Sequence, residues 1–248
     1  MPNRVGDAPV GALVLASVGL QLAYPLTHGA VRDRITVATV IVVAGASITH
    51  ATVTAGRRGL AGCATAAGIG FGAELIGVHT GVPFGHYAYA DSLGPRVAGV
   101  PVLAGLAWTM LAWPAALVAR RLATSFRARV LVGGWALASW DLFLDPQMVA
   151  AGHWRWTDPE PHLPGGPTVP LTNYAGWLIV ATLISLVVQA ILGSRTVPDD
   201  GWMLGLYLWT YVSSVIGLLA FLDLAGAALW GALGMGLVAV PLAVRLCW

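Results

Sequence analysis

The sequence predicts an all-α integral membrane protein: a polytopic bundle of about eight transmembrane helices with both termini cytoplasmic. Three observations carry that prediction. Of 248 residues, 57% are hydrophobic and 10% charged, with a mean hydropathy of +0.76. A soluble domain carries about 25% charged residues, so this chain cannot cover itself with polar surface, and a soluble globular enzyme is excluded. Apolar runs long enough to cross the ~30 Å hydrocarbon core recur along the whole chain. The 31 glycines and 15 prolines are dispersed through those runs, which excludes collagen-like and disordered chains. At roughly 25 residues per span and loop, the length allows seven to nine helices in a single transmembrane domain, residues 1–248.

The predicted spans are residues 10–27, 35–55, 60–80, 97–119, 128–145, 173–193, 202–222 and 224–244. The first follows Arg4 as a signal peptide would. It lacks a small-x-small cleavage site, however, and closes on Tyr24-Pro25 as a helix end does, so it is kept as a span. The second ends among Gly56, Arg57 and Arg58, which leaves seven spans as the alternative count. The third is broken by Gly81 and Pro83, with Gly85 permitting a turn. Two outer connections are long, from Thr80 to about Arg96 and from Pro146 to Thr172. The second holds His153-Trp154-Arg155-Trp156, whose tryptophans are expected as interfacial anchors, and a Pro/Gly-rich loop from Pro159 to Pro170.

All 13 basic residues are arginine. Arg4, Arg57, Arg58, Arg120, Arg121, Arg127, Arg129, Arg195 and Arg245 fall on one side, and Arg32, Arg34, Arg96 and Arg155 on the other. The positive-inside rule then puts the first group in the cytoplasm of a bacterial cell, the protein being multi-pass in the cytoplasmic membrane. A net charge of +2 offers no patch for nucleic acid. Cys63 and Cys247 have neither disulfide nor metal spacing and are expected to be unpaired thiols.

Ionisable groups inside spans are costly and point to function. Glu74 lies late in the third span, Asp141 and Asp145 late in the fifth, and Asp223 at the end of the seventh. Odd-numbered spans all end on the same side, so all four acids belong to the outer half, level with Asn173 and Tyr174. Glu74 shares a helix face with Ala66, Gly70, Gly77 and Gly81. Such a small-residue stripe admits a flat rigid ligand or a neighbouring helix. A carboxylic acid held neutral in a dry pocket can donate a proton. Asp141 and Asp145, four residues apart, share a face and should titrate as a pair. A proton-donating pair, a metal site, and a structural role as a cap or a partner of Arg155 all remain open for them. A prenyltransferase reading is poor, because it needs a second aspartate cluster and phosphate-binding bases. Phe84, Tyr87 and Tyr89 offer faces that stabilise cations by about 0.5–2 kcal/mol each. His79 and His86 are expected as interfacial hydrogen-bonding residues, and Asp223 as a cap of the last span.

The stretch from Glu74 to Tyr89 resembles the signature E-x-x-G-x-x-T-G-x-P-F-G-x-Y-x-Y of a bacterial and archaeal carotenoid biosynthesis family, which includes carotenoid 1,2-hydratases and bisanhydrobacterioruberin hydratases. Three further segments agree: Val100-Pro101 to Ala107-Trp108, Trp140 to Met148 with Gly152 to Trp156, and Val169 to Trp177. The matching block covers about residues 70–178. The resemblance implies addition of water across the terminal C1–C2 double bond of an acyclic carotenoid, of the lycopene, γ-carotene or C50 bacterioruberin-precursor kind. No cofactor and no metal are expected. The expected partners are the carotenoid within the bilayer and carotenoid-pathway enzymes.

That chemistry requires an acid to protonate the alkene, support for a tertiary carbocation, and one controlled water. Either Glu74 or the Asp141/Asp145 pair can supply the proton while the other orients water as base. Tyr87, Tyr89 or Trp140 can face the cation, and Asn173 can hold the water. Gly70, Gly77, Gly81, Phe84 and Tyr174 complete the expected substrate-binding set, with the polyene lying along the glycine stripe. A cyclase or isomerase would share the protonation step and then lose a proton. A non-catalytic carotenoid or lipid binder would leave the pigment unchanged. A proton-coupled transporter lacks the expected inverted repeat.

Overall fold

The computed structural model describes residues 4–166, 168–198 and 200–247, with side chains from Ala8 onward. Residues 1–3 and 248, and with them the expected placement of both termini, lie outside the described residues. Among those described, six helical segments are long and apolar enough to cross a membrane. The strands among the described residues are four pieces of two or three residues, all in loops.

Helix α1, Arg4–Ala23, ends in a 3₁₀ turn, Tyr24–Leu26, opened by Pro25. The predicted runs 35–55 and 60–80 are two legs of one element, α2, Gly29–Thr80. At 1.5 Å per residue its 52 residues would reach about 78 Å, more than twice the hydrocarbon thickness. The element does not run straight. Gly56 is non-helical at φ 60°, ψ −139°, and a Cβ on Gly59 would overlap the Ala51 carbonyl. Residues eight apart in a straight helix are about 12 Å apart, so the chain folds back at Gly56.

The fourth predicted run starts later than expected. Residues 96–101 form a hairpin in which β2, Arg96–Val97, pairs with β3, Val100–Pro101. Ala98 and Gly99 both take positive φ, as a two-residue hairpin turn demands, so the helix α3, Leu103–Leu122, cannot begin before the turn closes. Every residue of α3 from Trp108 to Ala119 is buried, which makes it the central helix. Pro114 has no N–H to offer the carbonyl of Met110, and Ser47 of α2 supplies the missing donor at 2.9 Å.

The fifth run is likewise not one span. It is divided at Ser139-Trp140 into α4, Phe126–Ala138, and α5, Asp141–Ala150. Hydropathy is continuous across the break, so the sequence carried no sign of it. Helices α6, Leu171–Leu192, α7, Gly201–Ala220, and α8, Ala225–Cys247, follow the predicted runs. Arg120 donates to Gln189 at 2.8 Å, and Arg121 to Asp200 at 2.7 Å, tying α3, α6 and the start of α7 together at one end. A Cβ on Gly62, just past the α2 fold, would meet Val188 of α6, placing the Arg57-Arg58 tip at that same end. The carboxylates lie at the opposite end, beneath the long loops. Asp223 stands exposed at φ 55° in the turn before α8, where no side-chain hydrogen bond to the helix is seen among the described residues. Both cysteines are free, Cys63 buried and Cys247 exposed.

Candidate active site

Glu74 sits a turn and a half before the end of α2, where Gly81, in the left-handed region at φ 77°, caps the helix by donating to the Gly77 carbonyl at 2.8 Å. The reversal that follows brings β1, Tyr87–Tyr89, back over the helix end. There it pairs antiparallel with β4, Trp154–Trp156, in the register Tyr87 to Trp156, Ala88 to Arg155 and Tyr89 to Trp154. Side chains alternate along a strand. The pattern Tyr-Ala-Tyr against Trp-Arg-Trp therefore turns four aromatic rings inward and leaves Arg155 outside. The exposed Arg155 is no partner to the aspartates. These rings form a lid: Tyr87 packs on Trp156 with centroids 5.7 Å apart, and Tyr89 on Trp154 at 5.5 Å.

Beneath the lid Glu74 is buried and accepts three hydrogen bonds. The Tyr87 and Tyr89 hydroxyls donate to Oε2, Tyr89 at 2.8 Å, and the Trp108 indole donates to Oε1 at 3.1 Å. Burial first, and then the neighbouring carboxylate, push both phenols well above their ordinary ionisation range, so they remain donors. Trp108 stacks on Trp177 of α6 at 3.9 Å, and Trp140 meets Trp177 edge-on at 6.1 Å.

The helix break at Ser139-Trp140 makes Asp141 the first residue of α5, where backbone N–H groups favour an acid. One turn on, Asp145 faces the same way. The Asn173 amide bridges the two, donating to Asp141 Oδ2 at 2.8 Å and to Asp145 Oδ2. Trp154 of the lid donates to Asp145 Oδ1 at 3.1 Å. Asp141 Oδ1 is buried and has no hydrogen-bond partner among the described residues.

A cavity of about 200 Å³ joins the two acid centres. Glu74, Tyr87, Tyr89, Trp108, Trp140, Asp145, Trp154, Trp156 and Trp177 all line it. Asp141 and Asn173 stand behind Asp145, outside the lining. The glycine stripe is filled by the protein's own rings. A Cβ on Gly70 would fall on the Trp108 indole, one on Gly77 would meet Phe84 at 2.8 Å, and one on Gly81 would meet His86 at 2.7 Å. Phe84 is wedged between α2 and α6, its carbonyl accepting from the Trp156 indole at 2.8 Å. Tyr174 packs against the core and does not reach the cavity.

Several members of the site carried no sequence signal of their role. Trp108 and Trp177 are ordinary core tryptophans by pattern. Trp154, expected as an interfacial anchor, donates to a buried carboxylate instead. Nothing in the sequence pattern marks His153. It is fully buried, shares a 2.7 Å hydrogen bond with Ser92, and its carbonyl accepts from Ala90 N–H at 2.7 Å, extending the lid. Burial lowers its pKa, and Asp33, 3.9 Å from Nε2, opposes that shift.

The family described as carotenoid biosynthesis protein matches residues 35–243 of the chain. The bisanhydrobacterioruberin hydratase of Haloarcula japonica is 35% identical over 122 residues, which is 47% of this chain and 40% of that protein. The match thus spans about two fifths of the length of that relative. No solved structure matches.

Proposed function

Because the chain belongs to the carotenoid biosynthesis protein family, we propose that it is a membrane-embedded hydratase of carotenoid end groups, adding water across the terminal C1–C2 double bond of an acyclic carotenoid. The observation that carries this reading is one greasy, ring-lined cavity holding two carboxylate centres with unlike hydrogen-bond environments. Glu74 accepts from three donors, the pattern of an ionised carboxylate. Asp141 and Asp145 share the Asn173 amide, Trp154 donates to Asp145 alone, and one oxygen of Asp141 has no hydrogen-bond partner among the described residues. Two adjacent buried carboxylates hold at least one proton between them. The similarity to a protein named a hydratase points to the same reaction class.

The roles follow. Asp145, the member of the pair that faces the cavity, gives its proton to C2, whose new C–H bond takes the alkene π electrons. The tertiary cation left at C1 is stabilised by the Glu74 anion and by the faces of Trp108, Trp177 and Trp140. A water oxygen bonds to C1 and releases its extra proton to the Asp141/Asp145 pair, which returns to its starting state. Both amide hydrogens of Asn173 are committed to the aspartates, so Asn173 is a positioning residue and not the holder of the water. No residue needs an external oxidant or reductant in this cycle.

Pigment mass spectrometry after expression in a lycopene-producing bacterium, with a C50-producing host alongside, tests the proposal. A product heavier by one or two waters is expected, and the host in which it appears names the substrate. Asp145→Asn should lower turnover about 10²–10⁴-fold, the usual range for a general acid. Unchanged mass with a shifted absorption spectrum would indicate a cyclase or isomerase instead.

A further inference from the structure

The cavity that holds Glu74 and Asp145 has a second end. At about 200 Å³ it is smaller than the roughly 300–1,000 Å³ that enclose a drug-sized ligand. A long polyene cannot be swallowed whole, so its end group enters while the rest stays outside. Away from the acids the lining passes to Gln21, Tyr24 and Pro25 on one side and to Ser213, Ser214 and Gly217 of α7 on the other.

Helices α1 and α7 run parallel, in contact near their starts and again around Gln21. Near their starts they touch closely, since a Cβ on Gly11 would meet the Trp202 ring at 2.7 Å. Further along the contact is polar: Trp209 donates to Gln21 Oε1 at 3.0 Å and Ser213 at 3.4 Å. Beyond that point α1 stops at Ala23 while α7 runs on to Ala220. A Cβ on Gly217 would find nothing within 4 Å. Gln21, Ser213, Ser214 and Gly217 line this end of the cavity and are all half-buried, on helices long and apolar enough to cross a membrane.

We propose that this gap between the ends of α1 and α7 is a lateral port, through which the end group of an acyclic polyene passes from the bilayer to the acids. The port rests on the carotenoid reading of the site and sharpens its substrate class: what is recognised is an acyclic end group whose long tail stays threaded through the port into lipid, whereas a chain short enough to fit inside the cavity leaves the port empty once bound.

Gly217→Phe fills the port without a backbone clash. Gly205→Phe is its control, because Gly205 is exposed on the same helix, lines no part of the cavity, and also has nothing within 4 Å of its Cβ position. Lycopene binding is read by quenching of tryptophan fluorescence. Turnover is read by product mass for lycopene and for a short acyclic isoprenoid with the same terminal double bond. Gly205→Phe should match the parent protein in every readout. Gly217→Phe should weaken lycopene binding about tenfold and lower the ratio of lycopene to short-substrate turnover about tenfold. Lycopene binding at parental strength in Gly217→Phe, or equal losses on both substrates, would overturn the port, as would a parent protein that binds no lycopene. A parent protein that binds lycopene but hydrates neither compound would end the hydratase reading, while the two variants' binding still decides the port.

Discussion

Trp154 has two separable functions in one side chain. Its ring packs edge-on against Tyr89, and its N–H reaches Asp145 Oδ1 at 3.1 Å. Trp154→Phe keeps most of the packing and removes the donor. A hydrogen bond to a charged group contributes about 1.5–3 kcal/mol, and Asp145 becomes charged as its proton leaves, so turnover should fall about tenfold or more while the melting temperature changes little. A loss of melting temperature with turnover unchanged would show that the indole serves only as packing. On the opposite wall, Glu74→Gln keeps the size but removes the anion. The expected loss is about 10²-fold in turnover, in the range for deleting one preorganised electrostatic contact, read in the same mass assay. The sequence made Glu74, Asp141 and Asp145 conspicuous because acids in apolar runs are costly. It was silent on their partners, since an indole that donates to a carboxylate has the same letter as one that anchors at an interface.

At the scale of elements, the lid is held by the β1–β4 ladder and by His153. The imidazole pKa is lowered by burial, so the folded state favours neutral His153. The unfolded lid binds a proton near the ordinary value of about 6.5. Stability contributed by His153 is therefore present above that pH and is lost as pH falls through it toward the folded value. Hydrogen exchange at the Ala90 amide, corrected for its intrinsic pH dependence, should accelerate between pH 7 and 5 in the parent protein. It should lose that dependence in His153→Gln. The lid was only half legible in advance. Tyr-Ala-Tyr and Trp-Arg-Trp each alternate visibly, but nothing in one strand of three residues names its partner some 65 positions away. The hairpin at 96–101 was hidden differently, because Val-Ala-Gly-Val-Pro is apolar enough to pass for the start of a helix.

The whole molecule is charged asymmetrically, with the Arg57-Arg58 tip at the end where Arg120 and Arg121 tie the bundle, and the lid and acids at the other. The arginine distribution predicts the first end to be cytoplasmic. In a Cys247→Ser background, whose remaining Cys63 is buried, Arg57→Cys should react with a membrane-impermeant maleimide only in opened cells. Arg155→Cys should react in intact spheroplasts, and the reverse pattern would invert the topology. The bundle itself was legible from hydropathy, which identified α1, α3, α6, α7 and α8 within a few residues at most ends. What hydropathy could not convey was continuity. It cannot distinguish two spans from one folded element, as at Gly56, or one span from two short helices, as at Ser139-Trp140, because both depend on backbone angles and not on apolar content.

The fold at Gly56 also bears on how the chain is made. A turn that brings Gly59 against the Ala51 carbonyl leaves no loop between the legs of α2. The two legs are therefore expected to partition into the bilayer as one hairpin, with Arg57 and Arg58 held at its turn. A substitution at Gly59 should then show itself first as failed insertion and rapid degradation, before any loss of catalysis could be measured.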